Sequence, residues 1–252
     1  MSRIDRALGL VRSIAVYHAI PGRRRRMRRL YAQFVAPGDL VFDIGAHAGN
    51  RTRTLLSLGC RVVAVEPQPD FARLLRTVFG RRPDVEVVEA AVAETAGRVE
   101  LSISERTPTV TTTVPAWRRA RATEPDFAGV RWNRRIEVET TTLDVLIARY
   151  GAPRFIKIDV EGSEPAVLRG LSRAAPALSF EYLPRALDHA RACVERLSGL
   201  ARYEFNWSPG ESYRLAVQSW IAADELLARL REPPAQRRPG DIYARPVAAA
   251  KV

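Results

Sequence analysis

The sequence predicts an α/β fold: a doubly wound, mainly parallel sheet with helices on both faces and antiparallel strands near the C-terminus. Three observations predict it. From residue 37 onward, short β-rich runs alternate with helical periodicity, the pattern of strand–helix–strand units. Several of those runs are almost continuously apolar, as strands covered on both faces are. The first run, Leu40–Ile44, ends at Gly45 in a turn that feeds a helix.

The elements follow in order. Met27, Leu30, Tyr31 and Phe34 lie at i, i+3, i+4 and i+7, so the N-terminal segment 1–36 reads as helical, with the arginines between 23 and 29 mostly on the opposite face. It is expected to cover one sheet edge. Residues 40–44 and 61–66 are the first two strands. Phe71, Leu74, Leu75, Val78 and Phe79 form one apolar helix face, with Asp70 as its N-cap and Gly80 just past its end. Residues 85–89, 98–103 and 136–140 are strands, 143–150 a helix and 154–159 a buried strand. Ser163 is placed to cap a helix that starts Glu164-Pro165, proline being welcome in a first turn. Residues 177–181 form a strand, and Leu187, Ala190, Val194 and Leu197 mark a helix. Residues 203–207, 213–217 and 241–245 read as antiparallel strands. The organisation is a basic helical segment (1–36), one domain (37–246) and a short tail (247–252).

Composition excludes several classes. The chain has 252 residues, 46% hydrophobic and 27% charged, which is ordinary for a globular protein and excludes a wholly disordered or fibrous one. No stretch approaches the ~20 uncharged apolar residues of a membrane span. The N-terminus lacks an apolar signal region, and Cys60 and Cys193 have no metal-like spacing. A cytoplasmic location is expected.

The net charge of +12 is unusual, and all but Lys157 and Lys251 of its cations are arginine. Codon usage in a GC-rich genome gives such a bias by itself. Its placement is more informative. Residues 1–36 hold nine arginines and one acid, and residues 115–135 hold six arginines and two acids, which together supply the whole excess. Residues 107–135 also interrupt the strand–helix alternation, first Thr-rich, then Arg-rich, with Trp117, Phe127 and Trp132 interleaved. A long irregular insert in a compact domain is usually functional or disordered.

The strongest local signal is VFDIGAHAGN at 41–50. Glycines at a strand-to-helix turn permit positive φ and let a ligand approach the backbone. The spacing is DxGxxxG, so neither a dinucleotide fingerprint nor a P-loop is present. Glu66 ends the second strand, where an acid can bind both hydroxyls of a ribose. Glu89, Ala90 and Ala91 end the third, where an adenine would lie. Each feature alone is common; in order, one per consecutive strand, they point to an adenosine ligand.

These segments, with VVAVEPQPDF, VVEAAVAETAG and TTTLDVLIARYGAPRFIKIDVEGSEPAVLRGL, resemble the FkbM family of S-adenosylmethionine-dependent methyltransferases over about residues 30–185. KIDVEG at 157–162 is the most specific element, and Glu181 fits the family pattern. The resemblance implies a class I methyltransferase (Rossmann-like) fold, S-adenosyl-L-methionine as cofactor and methylation of a hydroxyl on a sugar, glycolipid or secondary metabolite. Residues 1–30 and those after about 200 match poorly, and the insert 107–135 falls in a variable part, a substrate lid.

The site expected from this has defined roles. Gly45, Ala46, His47, Gly49 and Asn50 contact the methionine part, and Asp43 orients the loop or the ammonium group. Glu66 with Pro67 holds the ribose, and Glu89, Ala90 and Ala91 border the adenine. Asp159 lies over the methyl group and is the first choice for general base, which requires a pKa moved toward the working pH. His47 could instead take the proton or merely pack on the cofactor. Glu181 could act in proton transfer or only accept a hydrogen bond from the acceptor hydroxyl. Glu161, Trp117, Arg118 and Trp132 are the acceptor-facing residues. Asp159, Glu161 and Glu181 could together hold a divalent cation, although no metal is assigned. Lys157 shares a strand face with Asp159 and reads as half of a salt bridge. The acceptor is a small molecule or glycan, and the basic segments suit an anionic or membrane-associated one. The rivals are a nucleic-acid methyltransferase, opposed by DVEG where a base-methylation motif would stand, and a non-catalytic protein that binds a membrane or partner through its basic segments. Oligomeric state is not legible.

Overall fold

The computed structural model describes residues 22–233 and 235–247. The first 21 residues of the basic segment and residues 248–252 of the tail lie outside them.

The parallel sheet follows from the apolar runs. β1 (Leu40–Ile44), β2 (Arg61–Val65), β3 (Val85–Val88), β7 (Phe155–Ile158) and β8 (Leu178–Tyr182) pair in parallel in the order β3-β2-β1-β7-β8. β10 (Gly240–Pro246) adds antiparallel to β8, and β9 (Tyr203–Pro209) closes that edge antiparallel to β10. This is a doubly wound, Rossmann-like sheet with an antiparallel edge. Its direction of winding reverses between β1 and β7, and ligands of such sheets bind beyond the strand ends at that point.

Strand alternation divides the core in two. Val41, Val62, Ala64 and Phe155 face one layer, with α1 (Arg23–Tyr31), α2 (Asn50–Leu56) and α3 (Pro69–Phe79). Phe42, Ile44, Val63, Ile156 and Ile158 face the other, with α5 (Leu143–Tyr150), α6 (Glu164–Arg169), α7 (Leu187–Leu200) and α8 (Ala223–Arg229). Met27, Leu30, Tyr31 and Phe34 are buried as their spacing predicts. Phe34 stacks on Tyr243 of β10 with centroids 5.3 Å apart, so this segment covers a face of the sheet and not an edge.

Other differences have local causes. β4 (Ala91–Val92), β5 (Gly97–Ile103) and β6 (Arg134–Thr141) leave the main sheet and form a separate three-stranded one in the order β4-β6-β5. Residues 213–217 form no strand; the side chain of Asn206 holds Val217 by accepting from its N–H and donating to its carbonyl. Gln68, not Asp70, is the N-cap of α3, because Pro69 takes the first helical position. Gly80 remains right-handed (φ −64°) and does not terminate the helix by a left-handed turn. Ser163 is the N-cap of α6 but makes no capping bond; its Oγ lies 2.7 Å from Thr113 Oγ1 in the insert.

Candidate active site

The site is built from the loop after β1. Gly45 has φ +79°, and a Cβ there would lie 1.8 Å from the carbonyl oxygen of Asp159. Glycine is therefore required for the β1 and β7 loops to pass one another. Gly49 (φ +76°) is the N-cap of α2, and its missing Cβ leaves room for Leu75 and Phe79. Asp43 is fully buried and accepts from Thr52 Oγ1 at 2.6 Å, so it ties β1 to α2. Burial raises its pKa, and the Thr52 bond offsets part of that rise. Asn50 lines the cleft; its Oδ1 accepts from the Arg51 N–H, and its buried Nδ2 has no protein partner.

Glu66, 5% exposed, sits beyond β2. Its oxygens accept from the backbone N–H groups of Gln68 (2.8 Å) and His47 (2.9 Å). Burial pushes its pKa up to about 7 against these bonds. Pro67, Gln68, Ala90 and Ala91 continue the same wall. His47 adopts φ +47° and packs on Phe71 with ring centroids 3.9 Å apart. Burial lowers its pKa to about 3, which leaves the imidazole neutral and weakly basic.

The opposite wall is acidic. Asp159 follows β7, Glu161 lies in the next turn at φ +53°, and Glu181 sits on β8. One carboxylate oxygen from each lies within 4.8 Å of the others. Glu164 shapes the turn by accepting from the N–H groups of Val160 (3.1 Å) and Gly162 (3.0 Å). Burial raises the Glu164 pKa to about 7.

A residue the sequence reading missed reorganises this wall. Arg51, one position into α2 beyond Asn50, puts its guanidinium 2.9 Å from Asp159 Oδ2. Lys157 is fully buried, pairs with Asp241 at 2.7 Å and lies 3.8 Å from Asp159. Burial pushes the Asp159 pKa up, but Arg51, Lys157 and His47 outweigh it and hold the carboxyl below its usual value. That is the reverse of the shift a general base at Asp159 would need. Glu161 and Glu181 differ. Burial raises both well above the carboxylate range; Glu181 and Asp159 add to the effect at Glu161, and Asp159 and Glu164 add at Glu181. Three hard oxygen donors at this spacing could hold a divalent ion, but one would compete with Arg51 for Asp159.

Both walls line one cleft of about 760 Å³ of empty space open to solvent. The insert contributes Pro108, Thr109, Thr111 and Thr113. Thr112 Oγ1 donates to the Glu161 carbonyl at 2.8 Å, fastening the insert to the acidic turn. Of the residues expected at the ligand, Asp43, Ala46, Gly49 and Glu181 do not themselves line the cleft, and four more lie elsewhere. Glu89 is exposed and pairs with Arg76 at 2.5 Å. Trp117 is buried against Gly162, where a Cβ would lie 2.2 Å from its ring. Trp132 packs edge-on against Trp117 and donates Nε1–H to the Val110 carbonyl. Arg118 is partly exposed beside them, outside the cleft. The aromatic residues of the insert are its own small core.

A sheet of this order, with a glycine loop after its central strand and a buried acid after the next, is the architecture of class I methyltransferase domains. The profile described as "Methyltransferase FkbM domain" matches residues 43–195, and the chain belongs to that family, whose cofactor is S-adenosylmethionine. Curated relatives match shorter segments. The ribosomal RNA small subunit methyltransferase A of Anaeromyxobacter dehalogenans is 45% identical over 64 residues, 25% of this chain and 22% of that protein. The ornithine lipid N-methyltransferase of Singulisphaera acidiphila is 40% identical over 58 residues, 22% of this chain and 30% of that protein. The chain thus spans less than a third of these relatives. Among solved structures, the O-methyltransferase from Bacillus cereus in complex with SAH aligns at 15% identity over 95% of this chain and 90% of its own, with a TM-score of 0.47. Among the described residues, no helix is long and apolar enough to cross a membrane.

The site fits that cofactor. Glu66 keeps lone pairs for ribose hydroxyls beside its two N–H bonds, Gly45 leaves backbone accessible, and Asn50 Nδ2 is a buried donor awaiting an acceptor.

Proposed function

We propose that the protein is an S-adenosylmethionine-dependent O-methyltransferase acting on a hydroxyl of a sugar, glycolipid or secondary metabolite. One observation carries the reading: Asp159 and Glu161 line the cleft that also holds the glycine loop and Glu66, and Glu181 lies beside them with a carboxylate oxygen within 4.8 Å of theirs. When bound, the cofactor supplies a methyl group already activated on a sulfonium. The protein must then orient an oxygen in line with it and remove its proton. A hydroxyl needs a base, and Glu161 and Glu181, whose pKa values burial and the neighbouring acids raise, bind a proton more strongly than Asp159 does. Glu181 takes the proton, with Glu161 sharing it. Asp159, held ionised by Arg51, accepts the hydrogen bond of the acceptor and does not titrate. Pro108, Thr109, Thr111 and Thr113 form the acceptor lid.

A nucleic-acid acceptor is the alternative reading, and the product of the transfer reaction separates the two. Titration calorimetry with S-adenosylmethionine, followed by transfer of its labelled methyl group into a panel of polyhydroxylated acceptors, tests the proposal. Cofactor binding with ether-linked product supports it. Absence of binding to the folded protein refutes the methyltransferase reading, and labelled RNA as the product refutes the acceptor class.

A further inference from the structure

α1 breaks the local rules of helix chemistry. Its nine residues, RRRRMRRLY, contain six arginines and no acid. Arg23, Met27, Leu30 and Tyr31 face inward, and Arg24, Arg25, Arg26, Arg28 and Arg29 face solvent. Arg24 with Arg28, and Arg25 with Arg29, are like charges at i,i+4, which destabilises a helix. Four arginines in the first turn also oppose the positive end of the helix dipole. Among the described residues, none of the five exposed arginines forms an ion pair with a carboxylate. Codon usage explains arginine in place of lysine. It does not explain five exposed cations within six positions with no acid among them. Such a local conflict in an otherwise consistent fold marks a functional surface.

The adjoining surface shares this character. A groove beside α1 is lined by Arg24, Arg53, Leu56, Val78, Phe79 and Arg82. The Arg53 guanidinium lies 5.8 Å over the Phe79 ring, and Val78, on α3, is 45% exposed. Cations and apolar carbon are therefore presented together. Residues 1–21 add Arg3, Arg6 and Arg12 to the same end of the chain. The cations lie on an outer helical face beside exposed apolar carbon, and none of them lines the cleft. That combination suits an extended anionic surface with an apolar interior, against which the protein lies.

We infer that α1 and the α1–α2–α3 groove are a docking surface for an anionic lipid bilayer. The attraction is interfacial and electrostatic; nothing in it needs a membrane-spanning helix. The inference stands whether or not the acceptor is the hydroxyl proposed above.

Cosedimentation of the full chain with vesicles tests it, comparing phosphatidylcholine alone with phosphatidylcholine containing about a third phosphatidylglycerol. The protein should bind the anionic vesicles at about 0.1 M salt, leave the neutral ones in solution, and lose at least ~10-fold in affinity at about 0.5 M salt. The R24Q/R25Q/R28Q/R29Q variant should bind at least ~100-fold more weakly, and R25Q/R29Q should fall between. Both should unfold at or slightly above the wild-type temperature, because the like-charge repulsion is relieved, and keep wild-type S-adenosylmethionine affinity, which shows that fold and cofactor site are intact. Equal binding to both vesicle types, no vesicle binding, or undiminished binding by the quadruple variant would overturn the inference. So would tighter binding to single-stranded RNA than to anionic vesicles at the same salt.

Discussion

The two walls of the cleft are built differently. The cofactor wall comes from consecutive strand ends: the loop after β1, Glu66 after β2, and Ala90 and Ala91 after β3. Its polar bonds are mostly to backbone, as in Glu66 with the N–H groups of His47 and Gln68. The opposite wall is gathered from separated places: Arg51 on α2, the 159–164 turn and threonines of the insert, with Glu181 on β8 beside the turn's carboxylates. Its bonds join side chains to one another, as Arg51 to Asp159 and Thr113 to Ser163, as well as to backbone. A wall of backbone bonds tolerates changes in its side chains but not in its glycines. The wall of side chains should respond the other way.

The largest expected effect is at the opposite wall. Glu181→Gln keeps the shape and removes the proton acceptor, so kcat should fall about 1,000-fold with cofactor affinity unchanged. A kcat within tenfold of wild type would move the base to Glu161 or Asp159. Gly45→Ala breaks the other wall. A Cβ 1.8 Å from the Asp159 carbonyl, at φ +79°, forces the two loops apart. Cofactor affinity should fall about 100-fold, and thermal unfolding should show a loss of about 2–3 kcal/mol. Normal binding by the alanine variant would refute the backbone description.

Glu66 gives a smaller effect with a definite pH signature. Its folded pKa, about 7, lies above the ordinary 4.5, so the fold favours the protonated form. Its contribution to stability is fully present below about pH 4.5 and is lost as pH rises to about 7. The ionised form is the better acceptor for two hydroxyls, so S-adenosylmethionine affinity should climb with pH and level off above 7. Glu66→Gln places an amide N–H₂ against one of two N–H donors and should bind about 30-fold more weakly, without the inflection. Calorimetry between pH 5.5 and 8.5 decides it. The smallest effect is expected at Arg118. It lies outside the cleft, so Arg118→Gln should leave acceptor KM within about twofold. A tenfold rise would return the arginine to the substrate path.

The same contrast explains what the sequence revealed. Strands 40–44 and 61–66 were legible because strands covered on both faces must be apolar, and the glycines and Glu66 because their turns admit few residues. Glu89 was misread for want of any signal that Arg76, one helix away, would draw it outward. Arg51 was invisible as a cleft residue in an arginine-rich chain, since its partner Asp159 lies 108 positions on. Trp117 and Trp132 were expected to face the acceptor, but aromatic composition does not distinguish a ligand platform from a small core. The insert 107–135 was expected as a substrate lid, but the sequence did not show that residues 108–113 are the part at the cleft, which depends on Thr112 reaching the Glu161 carbonyl.

The most direct test is a crystal structure with S-adenosylhomocysteine. The account predicts ribose hydroxyls on Glu66, the adenine against Ala90 and Ala91, and the sulfur facing Glu161 and Glu181 across an open acceptor space. A nucleoside bound away from Glu66, or a sulfur directed away from the three carboxylates, would contradict it.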